Sequence, residues 1–181
     1  MIITVQQRQV ALSSEYEIET PECIYEAKKK WPSWRDKVTL FAPRGRIVAR
    51  ITGRPSFFRA KYDFELADGT VYHLREERVW KGVFVCRSPN ESFCLYQHKG
   101  LNFSIFKSDL QIAAFSKNPV TVGVADRYEI RMNDDANPIV VICLVLATDL
   151  FESEDNSSTA TYDFGNIGPE DRKFDRSWEP S

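Results

Sequence analysis

Basic residues dominate one stretch of the sequence, from Lys37 to Tyr62, which contains no Asp or Glu. Guanidinium groups donate paired hydrogen bonds to phosphate oxygens, and several of them together can hold an anionic headgroup. Near an anionic bilayer each basic residue contributes on the order of 1 kcal/mol. The stretch therefore predicts binding of an anionic lipid headgroup or another acidic partner. Its basic residues are Lys37, Arg44, Arg46, Arg50, Arg54, Arg59 and Lys61.

The spacing of these residues predicts a shared face. Arg46 and Arg50 lie four positions apart on one predicted strand, and because side chains alternate between the faces of a strand, both should project together. Arg59 and Lys61 should project outward from the next strand, beside Phe57-Phe58, which offers shallow apolar insertion. The candidate headgroup-binding residues are Arg44, Arg46, Arg50, Arg54, Arg59 and Lys61. The alternative is a solvated surface whose arginines pair with acids of other strands or of the C-terminal tail.

A second basic stretch, Lys28 to Arg35, contains Trp31 and Trp34. Indole rings favour the headgroup level of a bilayer, so this stretch is a second candidate for membrane contact. The alternative is a loop whose tryptophans cap one end of the fold. Stacking on nucleic-acid bases would need a recognised motif or a basic overall charge, and the sequence has neither, so we predict no nucleic-acid partner.

Residue types that perform catalysis or bind metals are sparse. The two histidines, His73 and His98, and the four cysteines lack the spacing of a zinc site or a disulfide framework. A nucleophilic pair of His98 with Cys94 or Cys86 requires adjoining strands. Asp134-Asp135 lacks the ligand spacing of a calcium loop, and no glycine-rich phosphate loop occurs. We therefore predict no catalytic residue, no metal ligand, no cofactor and no enzyme activity, and free, mostly buried thiols at Cys23, Cys86, Cys94 and Cys143.

The formal charge of −2 is the sum of three unlike zones. Residues 1–60 carry 11 basic and 6 acidic residues, residues 61–148 carry 10 and 11, and residues 149–181 carry 3 and 9. With 43% hydrophobic residues the body can fill a core, whereas Glu152 to Thr159 has no apolar residue and is typical of a flexible linker. We predict one domain over residues 1–151 and an acidic polar tail over 152–181, whose aromatic residues offer a means of docking.

The elements that must position the basic residues are short strands. Phe58 to Leu66 alternates apolar and polar residues, Asp68-Gly69 is typical of a tight turn, and Val71 begins the returning strand. Many short strands with turn residues between them predict a sandwich or a barrel. The other predicted strands are Glu15–Glu19, Cys23–Lys28, Lys37–Phe41, Arg46–Thr52, Val79–Arg87, Ser92–His98, Asn102–Lys107, Leu110–Phe115, Val120–Val124 and Tyr128–Met132.

The pattern changes after Asp135. Asn137 is placed to cap a helix and Pro138 to begin it, and Ile139 to Ala147 is apolar on every side of that helix. A helix of this kind must be surrounded by protein. Its nine-residue apolar run is far shorter than the ~20 residues that span a bilayer, so we predict no transmembrane segment. A buried strand is the alternative, favoured by the β-branched residues of the run.

A barrel closing around one apolar helix resembles the tubby-like superfamily, which includes tubby domains, phospholipid scramblases and LURP-one-related proteins. The likeness rests on Arg127–Met132, an acidic turn and Pro138–Leu150, and on Tyr16-Glu17-Ile18, Ile24–Lys28 and Phe41–Ile51, which are similar to the first strands of the LURP-one-related branch. It covers about residues 14–151. The resemblance implies a closed antiparallel β-barrel of about twelve strands around a buried hydrophobic C-terminal α-helix, and it implies phosphoinositide or phospholipid binding.

The predicted function is therefore a non-enzymatic tubby-like domain that binds anionic phospholipid or phosphoinositide headgroups through a basic outer face. A protein-interaction scaffold is the alternative, with an acidic protein surface or the tail as the partner. A small-ligand carrier is a third, and it would need a cavity where the predicted helix lies. Because the N-terminus lacks the features of a secretory signal, we expect a cytoplasmic protein, peripheral at a membrane.

Overall fold

A computed structural model describes residues 1–10, 13–29, 37–54, 61–78, 82–118, 126–155 and 171–181 of the 181-residue chain. Twelve strands precede one α-helix. The strands are β1 (Ile2–Val10), β2 (Ser13–Glu19), β3 (Ile24–Lys29), β4 (Lys37–Ala42), β5 (Arg46–Gly53), β6 (Lys61–Leu66), β7 (Val71–Arg78), β8 (Val83–Arg87), β9 (Ser92–His98), β10 (Asn102–Lys107), β11 (Leu110–Asn118) and β12 (Arg127–Met132), and the helix is α1 (Pro138–Asp155).

The strands form one closed antiparallel barrel. Each strand pairs with the next one in the chain, and β12 pairs with β1, so that Ile130 lies opposite Ile3. Side chains alternate between the inside and the outside of the barrel along the strands. In β6, Tyr62 and Phe64 are buried inside, whereas Lys61 is exposed. The predicted β6–β7 hairpin is confirmed. The closed barrel of about twelve strands implied by the family resemblance is confirmed as well.

Strand β1 differs from the prediction, in which the first strand begins near residue 15. In β1, Ile3 and Val5 point inward, but the next inward residue is Gln7, so the apolar alternation is too short to stand out. The strand is nevertheless needed for closure, because it pairs with both β2 and β12. The barrel therefore begins at residue 2, not near residue 14.

Several predicted features lie outside the described residues. They are the strand Val120–Val124, the strand residues Phe58–Ala60 and Val79–Lys81, the tryptophans Trp31 and Trp34, the candidate residue Arg59, its neighbour Phe57 and the tail residues 156–170.

The predicted helix is confirmed, and the alternative of a buried strand is wrong. Asn137 caps the helix, its Oδ1 accepting hydrogen bonds from the backbone amides of Ile139 at 3.0 Å and Val140 at 3.4 Å. All residues from Val140 to Leu150 are buried, and they join interior residues of the strands in one core. Among the described residues, no helix is long and apolar enough to cross a bilayer. The helix runs to Asp155, past the predicted boundary at 151, so 152–155 are helical rather than part of a linker.

A buried polar cluster anchors the last turns of α1 to the barrel wall. Asp149 is 3% exposed and accepts hydrogen bonds from the hydroxyl groups of Tyr16, at 2.7 Å, and Tyr128. The ammonium group of Lys117 lies 3.4 Å from the Asp149 carboxylate and 2.8 Å from that of Asp126. The cluster therefore joins the helix to β2, β11 and β12. We call these five residues the Asp149 cluster.

Among the described residues, the two ends of the barrel differ in charge. We call the end where α1 begins the upper end. Its turns comprise residues 20–23, 43–45, 67–70, 88–91, 108–109 and 133–137, and they contain six acidic residues and one arginine. At the lower end the described side chains are mostly basic, among them Lys28, Lys29, Lys37, Lys61 and Lys99. The acids thus surround the positive, N-terminal end of the α1 dipole.

Candidate functional site

The six predicted headgroup-binding residues do not converge on one site. Arg44 lies in the upper-end turn after β4, and Arg46 begins β5 beside it. Arg50 is exposed in the middle of β5, and Arg54 follows the end of the strand. At about 3.3 Å per residue, the eight positions from Arg46 to Arg54 separate the two by about 26 Å. One headgroup cannot bridge that distance.

The prediction that Arg46 and Arg50 project from the same face is wrong because β5 contains a bulge. Leu40 of β4 lies opposite Ala49, and the next residue of β4 lies opposite Ile47, so that Val48 is the extra residue. The bulge reverses the alternation, since two residues oppose one on the partner strand. Arg50 remains on the outer face, whereas Arg46 lies opposite the buried Ala42 at the upper rim.

The electrostatics of Tyr25 agree with this position of Arg46. Tyr25 lies opposite the buried residue Ile18, so it faces inward near the upper rim. Burial raises the pKa of Tyr25 to about 12, and the charge of the nearby Arg46 acts in the lowering direction. Arg46 is therefore a neighbour of a rim tyrosine rather than a member of an outer basic face.

Three basic residues do meet near the lower end, in a row across three adjacent strands. The Arg54 amide donates to the Lys61 carbonyl oxygen at 2.8 Å, and Lys61 lies directly opposite Arg75 of β7. All three side chains are exposed. Neighbouring strands are about 4.8 Å apart, so β5 and β7 are separated by about 10 Å, within reach of long side chains converging on one anion. We call Arg54, Lys61 and Arg75 the basic row.

Acidic residues lie next to the basic row and limit its charge. Asp63 forms an ion pair with Arg54, and its other oxygen lies 2.7 Å from Nδ1 of His73. Glu65 lies opposite Arg50 across β5 and β6. The alternative to a headgroup site is a solvated surface whose arginines pair with acids of other strands. Arg54 forms such a pair with Asp63, and Arg50 lies opposite Glu65. Lys61 and Arg75 are like charges directly opposite each other, an arrangement that destabilises a sheet unless an anion relieves it.

Arg75 is not among the residues that the sequence predicts for this site. It precedes Glu76 and Glu77 in the chain, so it lies outside the acid-free stretch that marked the other candidates. Its place beside Lys61 depends on the register of β6 and β7. Glu76 is buried inside the barrel, which removes its carboxylate from the outer face.

A cleft of about 270 Å³ opens at the upper end, between the first turn of α1 and strands β9 and β11. On its wall, Glu91 accepts hydrogen bonds from Lys107 Nζ, at 2.7 Å, and from the Tyr72 hydroxyl. Burial alone would raise the pKa of Glu91, but these hydrogen bonds and the charge of Lys107 lower it below its usual value of 4.5. The cleft lies at the mouth of the barrel and not in its interior, where α1 occupies the space that a small-ligand carrier would need.

This arrangement makes stability depend on pH. A carboxyl group whose pKa is depressed by folding stabilises the fold above its unfolded pKa, and the contribution disappears as the pH falls through the folded pKa. We expect Glu91→Gln to lower the free energy of unfolding by about 1 kcal/mol at pH 7. Urea denaturation at pH 7, 5 and 3 should show this difference shrinking on acidification. A difference that is the same at all three pH values would contradict the assignment.

No described cysteine and histidine form a nucleophilic pair. His98 lies on the outer face of β9, where Nε2 is 2.7 Å from Ser104 Oγ, whereas Cys86 points into the core. Cys94 lies four residues from His98 on the same strand, about 13 Å away. Burial raises the pKa of both thiols, which disfavours the reactive thiolate. All four cysteines are free, as predicted, but only Cys86 and Cys143 are fully buried.

Possible metal ligands are scattered over the part of the chain that the structure describes. No three His, Cys, Asp or Glu side chains there are grouped so as to hold a metal ion. Asp134, in the acidic turn, instead accepts a hydrogen bond from the N-terminal ammonium group at 2.9 Å. The turn therefore serves to join the chain's first residue to the segment that leads into α1.

Comparison with known proteins adds one match. A family model described as LURP-one-related matches residues 1–149, which include all twelve strands and the buried part of α1 except Leu150. No curated protein and no solved structure matches the chain. The matched range begins at the first residue, in agreement with the place of β1 in the barrel.

Proposed function

The chain belongs to the LURP-one-related family of the tubby-like superfamily, and from this membership we propose that it is a non-enzymatic domain that binds anionic phospholipid headgroups, peripheral at a membrane. The binding residues are the basic row, Arg54, Lys61 and Arg75, and Arg50 lies on the same outer face about 13 Å along the strand from Arg54. Arg44 and Arg46 are not part of this site, because they lie at the other end of the barrel.

The observation that carries the proposal is the opposition of Lys61 and Arg75. Two exposed cations directly across neighbouring strands repel each other, and a phosphate group between them would turn that repulsion into attraction. Asp63 holds the Arg54 guanidinium group beside Lys61 through their ion pair, which reduces the freedom that Arg54 would lose on binding. The basic row thus resembles a preformed phosphate site.

The charge of the two barrel ends favours one orientation on a membrane. The upper end is acidic and would be repelled by an anionic bilayer, whereas the basic row lies near the lower end. The domain would therefore approach the bilayer with its lower end and the adjoining face of β5 to β7. A scaffold that binds an acidic protein surface would use the same residues, and it is the second candidate function.

Vesicle flotation tests the proposal with two variants of equal charge. Lys61→Gln/Arg75→Gln should reduce binding to vesicles containing phosphatidylserine or phosphatidylinositol bisphosphate by about 30-fold, because each removed charge costs about 1 kcal/mol. Arg44→Gln/Arg46→Gln loses the same charge at the upper end and should bind nearly as the wild type does. Binding of the wild type should fall as salt is raised.

Three results would contradict the proposal. Equal binding of the wild type to neutral and anionic vesicles would exclude headgroup recognition. An equal loss in the two double variants would show that net charge, and not the basic row, determines binding. Absence of vesicle binding combined with Lys61-dependent binding to an acidic protein would favour the scaffold.

A further inference from the structure

Residues 171–181 lie on the outer face of the barrel as an extended segment interrupted by one turn. Arg172 and Phe174 are half-buried, whereas the alternate residues Asp171 and Lys173 are exposed. A turn follows, in which Asp175 Oδ1 accepts hydrogen bonds from the backbone amide and hydroxyl of Ser177. Side chains of an extended segment point alternately to opposite sides, so every second residue contacts the surface on which the segment lies.

The segment lies on the outer face of β9, β10 and β11, and we call this surface the groove. The Arg172 guanidinium carbon lies 4.0 Å from the centroid of the Phe106 ring and 5.6 Å from that of Tyr96. The ring of Phe174 lies 5.0 Å from that of His98. Phe106 and His98 are outward-facing residues, yet they are only 6% and 3% exposed. The groove residues are Tyr96, Phe106 and His98, which contact the segment, and Ser104, which is hydrogen-bonded to His98.

Polar contacts fix the position and direction of the segment. Arg172 lies 3.5 Å from the carboxylate of Asp109, and Arg131 donates a hydrogen bond to the Trp178 carbonyl oxygen at 3.3 Å. The Ser181 backbone amide donates a hydrogen bond to Asn133 Oδ1 at 3.1 Å, and the Ser181 carbonyl oxygen accepts one from the backbone amide of Asp134. The segment therefore runs from β9 and β10 towards β12 and ends at the upper end of the barrel.

These contacts are those of a bound peptide rather than of a further strand. Both edges of β9, β10 and β11 are already paired in the closed barrel, so the segment cannot add ladder hydrogen bonds. Its contacts with the groove are made by an arginine, an aromatic ring and a few polar groups. No residue of the segment belongs to the core formed by the barrel interior and α1. The barrel interior is thus complete without it.

We propose that the groove on β9 to β11 is a recognition site for an extended segment of a partner protein with arginine two positions before an aromatic residue, and that residues 171–181 occupy it in the absence of the partner. Phe106 and Tyr96 receive the guanidinium group, Asp109 pairs with its charge, and His98 receives the aromatic ring. Because the occupying segment is part of the same chain, its binding is intramolecular, so a partner must bind tightly or in several places to displace it. The site is separate from the basic row, since β8 lies between them.

A labelled peptide of residues 171–181 tests this inference against the full-length chain. Arg172→Ala/Phe174→Ala in the full chain should leave the groove open, so that fluorescence anisotropy detects saturable binding of the peptide, at least 10-fold tighter than to the wild type. Phe174→Ala in the peptide should weaken binding at least 10-fold. Lys173→Ala in the peptide is the matched control and should bind unchanged, because Lys173 faces solvent. The single variant Phe174→Ala of the full chain, a milder change, should also bind the peptide more tightly than the wild type does.

Three results would overturn the inference. Folded variants that bind no peptide would show that the groove recognises nothing in trans. If both the single and the double variant lose the circular dichroism spectrum of the folded protein, the segment is required for folding. A wild-type chain that dimerises with rising concentration, and no longer does so with Arg172 and Phe174 replaced, would assign the groove to a second copy instead of a partner.

Discussion

Replacing Leu144 with alanine is expected to lower the free energy of unfolding by about 3–5 kcal/mol. Leu144 is fully buried near the middle of α1 and packs in the single core that the helix forms with the barrel strands. The cost is at the upper end of the range for such substitutions because the wall cannot collapse onto the cavity. Every strand is hydrogen-bonded on both sides, so inward movement of one strand would strain its neighbours.

Urea denaturation followed by circular dichroism measures this loss. Leu110→Ala is the matched control, since Leu110 is 62% exposed and its truncation should change stability by less than about 0.5 kcal/mol. A loss below about 1 kcal/mol for Leu144→Ala would mean that the wall relaxes around the helix. The packing of the helix inside the barrel would then contribute little to the free energy of unfolding.

The helix and the hairpins could be predicted because their signals are local. Asn137, Pro138 and an apolar run identify α1 without knowledge of any other element. In the same way Asp68-Gly69 and the alternation from Lys61 to Leu66 define a hairpin by themselves. Strand β1 had no such signal, because its pairing with β12 joins residues more than a hundred positions apart. Its own pattern is diluted by the inward Gln7.

The candidate site was harder to predict than the fold, since it depends on register. A single bulged residue, Val48, places Arg46 and Arg50 on different faces, and no residue type marks that bulge in the sequence. The register of β6 and β7 brings Arg75 opposite Lys61 although the two are fourteen positions apart in the chain. Composition therefore suggested an anion-binding site, and strand pairing determines which of its residues lie close together.

The tail illustrates the same limit. Its charge suggested an acidic partner for the basic face, but the described residues 171–181 bind at β9 to β12, away from the basic row. The contact is made by Arg172 and aromatic rings, so the net charge of the segment says little about where it docks. Removal of residues 152–181 would therefore uncover the groove, in addition to any effect on the basic face.

The second large loss of stability is expected from replacing Asp149, a buried carboxylate in the last turns of α1. Replacing it with alanine would leave the hydroxyl groups of Tyr16 and Tyr128 without their acceptor and the Lys117 charge with one of its two carboxylates removed. Removing one partner of a buried, hydrogen-bonded charge pair costs about 3–5 kcal/mol. We expect Asp149→Ala to lie in that range, at the lower end because Asp126 still pairs with Lys117.

Asp149→Asn separates the shape of the side chain from its charge. The amide oxygen can still accept one tyrosine hydrogen bond, but the amide nitrogen cannot, and the attraction to Lys117 is lost. We therefore expect Asp149→Asn to lose roughly half as much stability as Asp149→Ala in urea denaturation. Glu19→Gln, an exposed carboxylate on β2, is the matched control and should change stability by less than about 0.5 kcal/mol. Equal losses for the Asn and Ala variants would show that the charge alone matters. A loss below 1 kcal/mol for both would mean that the helix is held by its apolar contacts and that the Asp149 cluster is incidental.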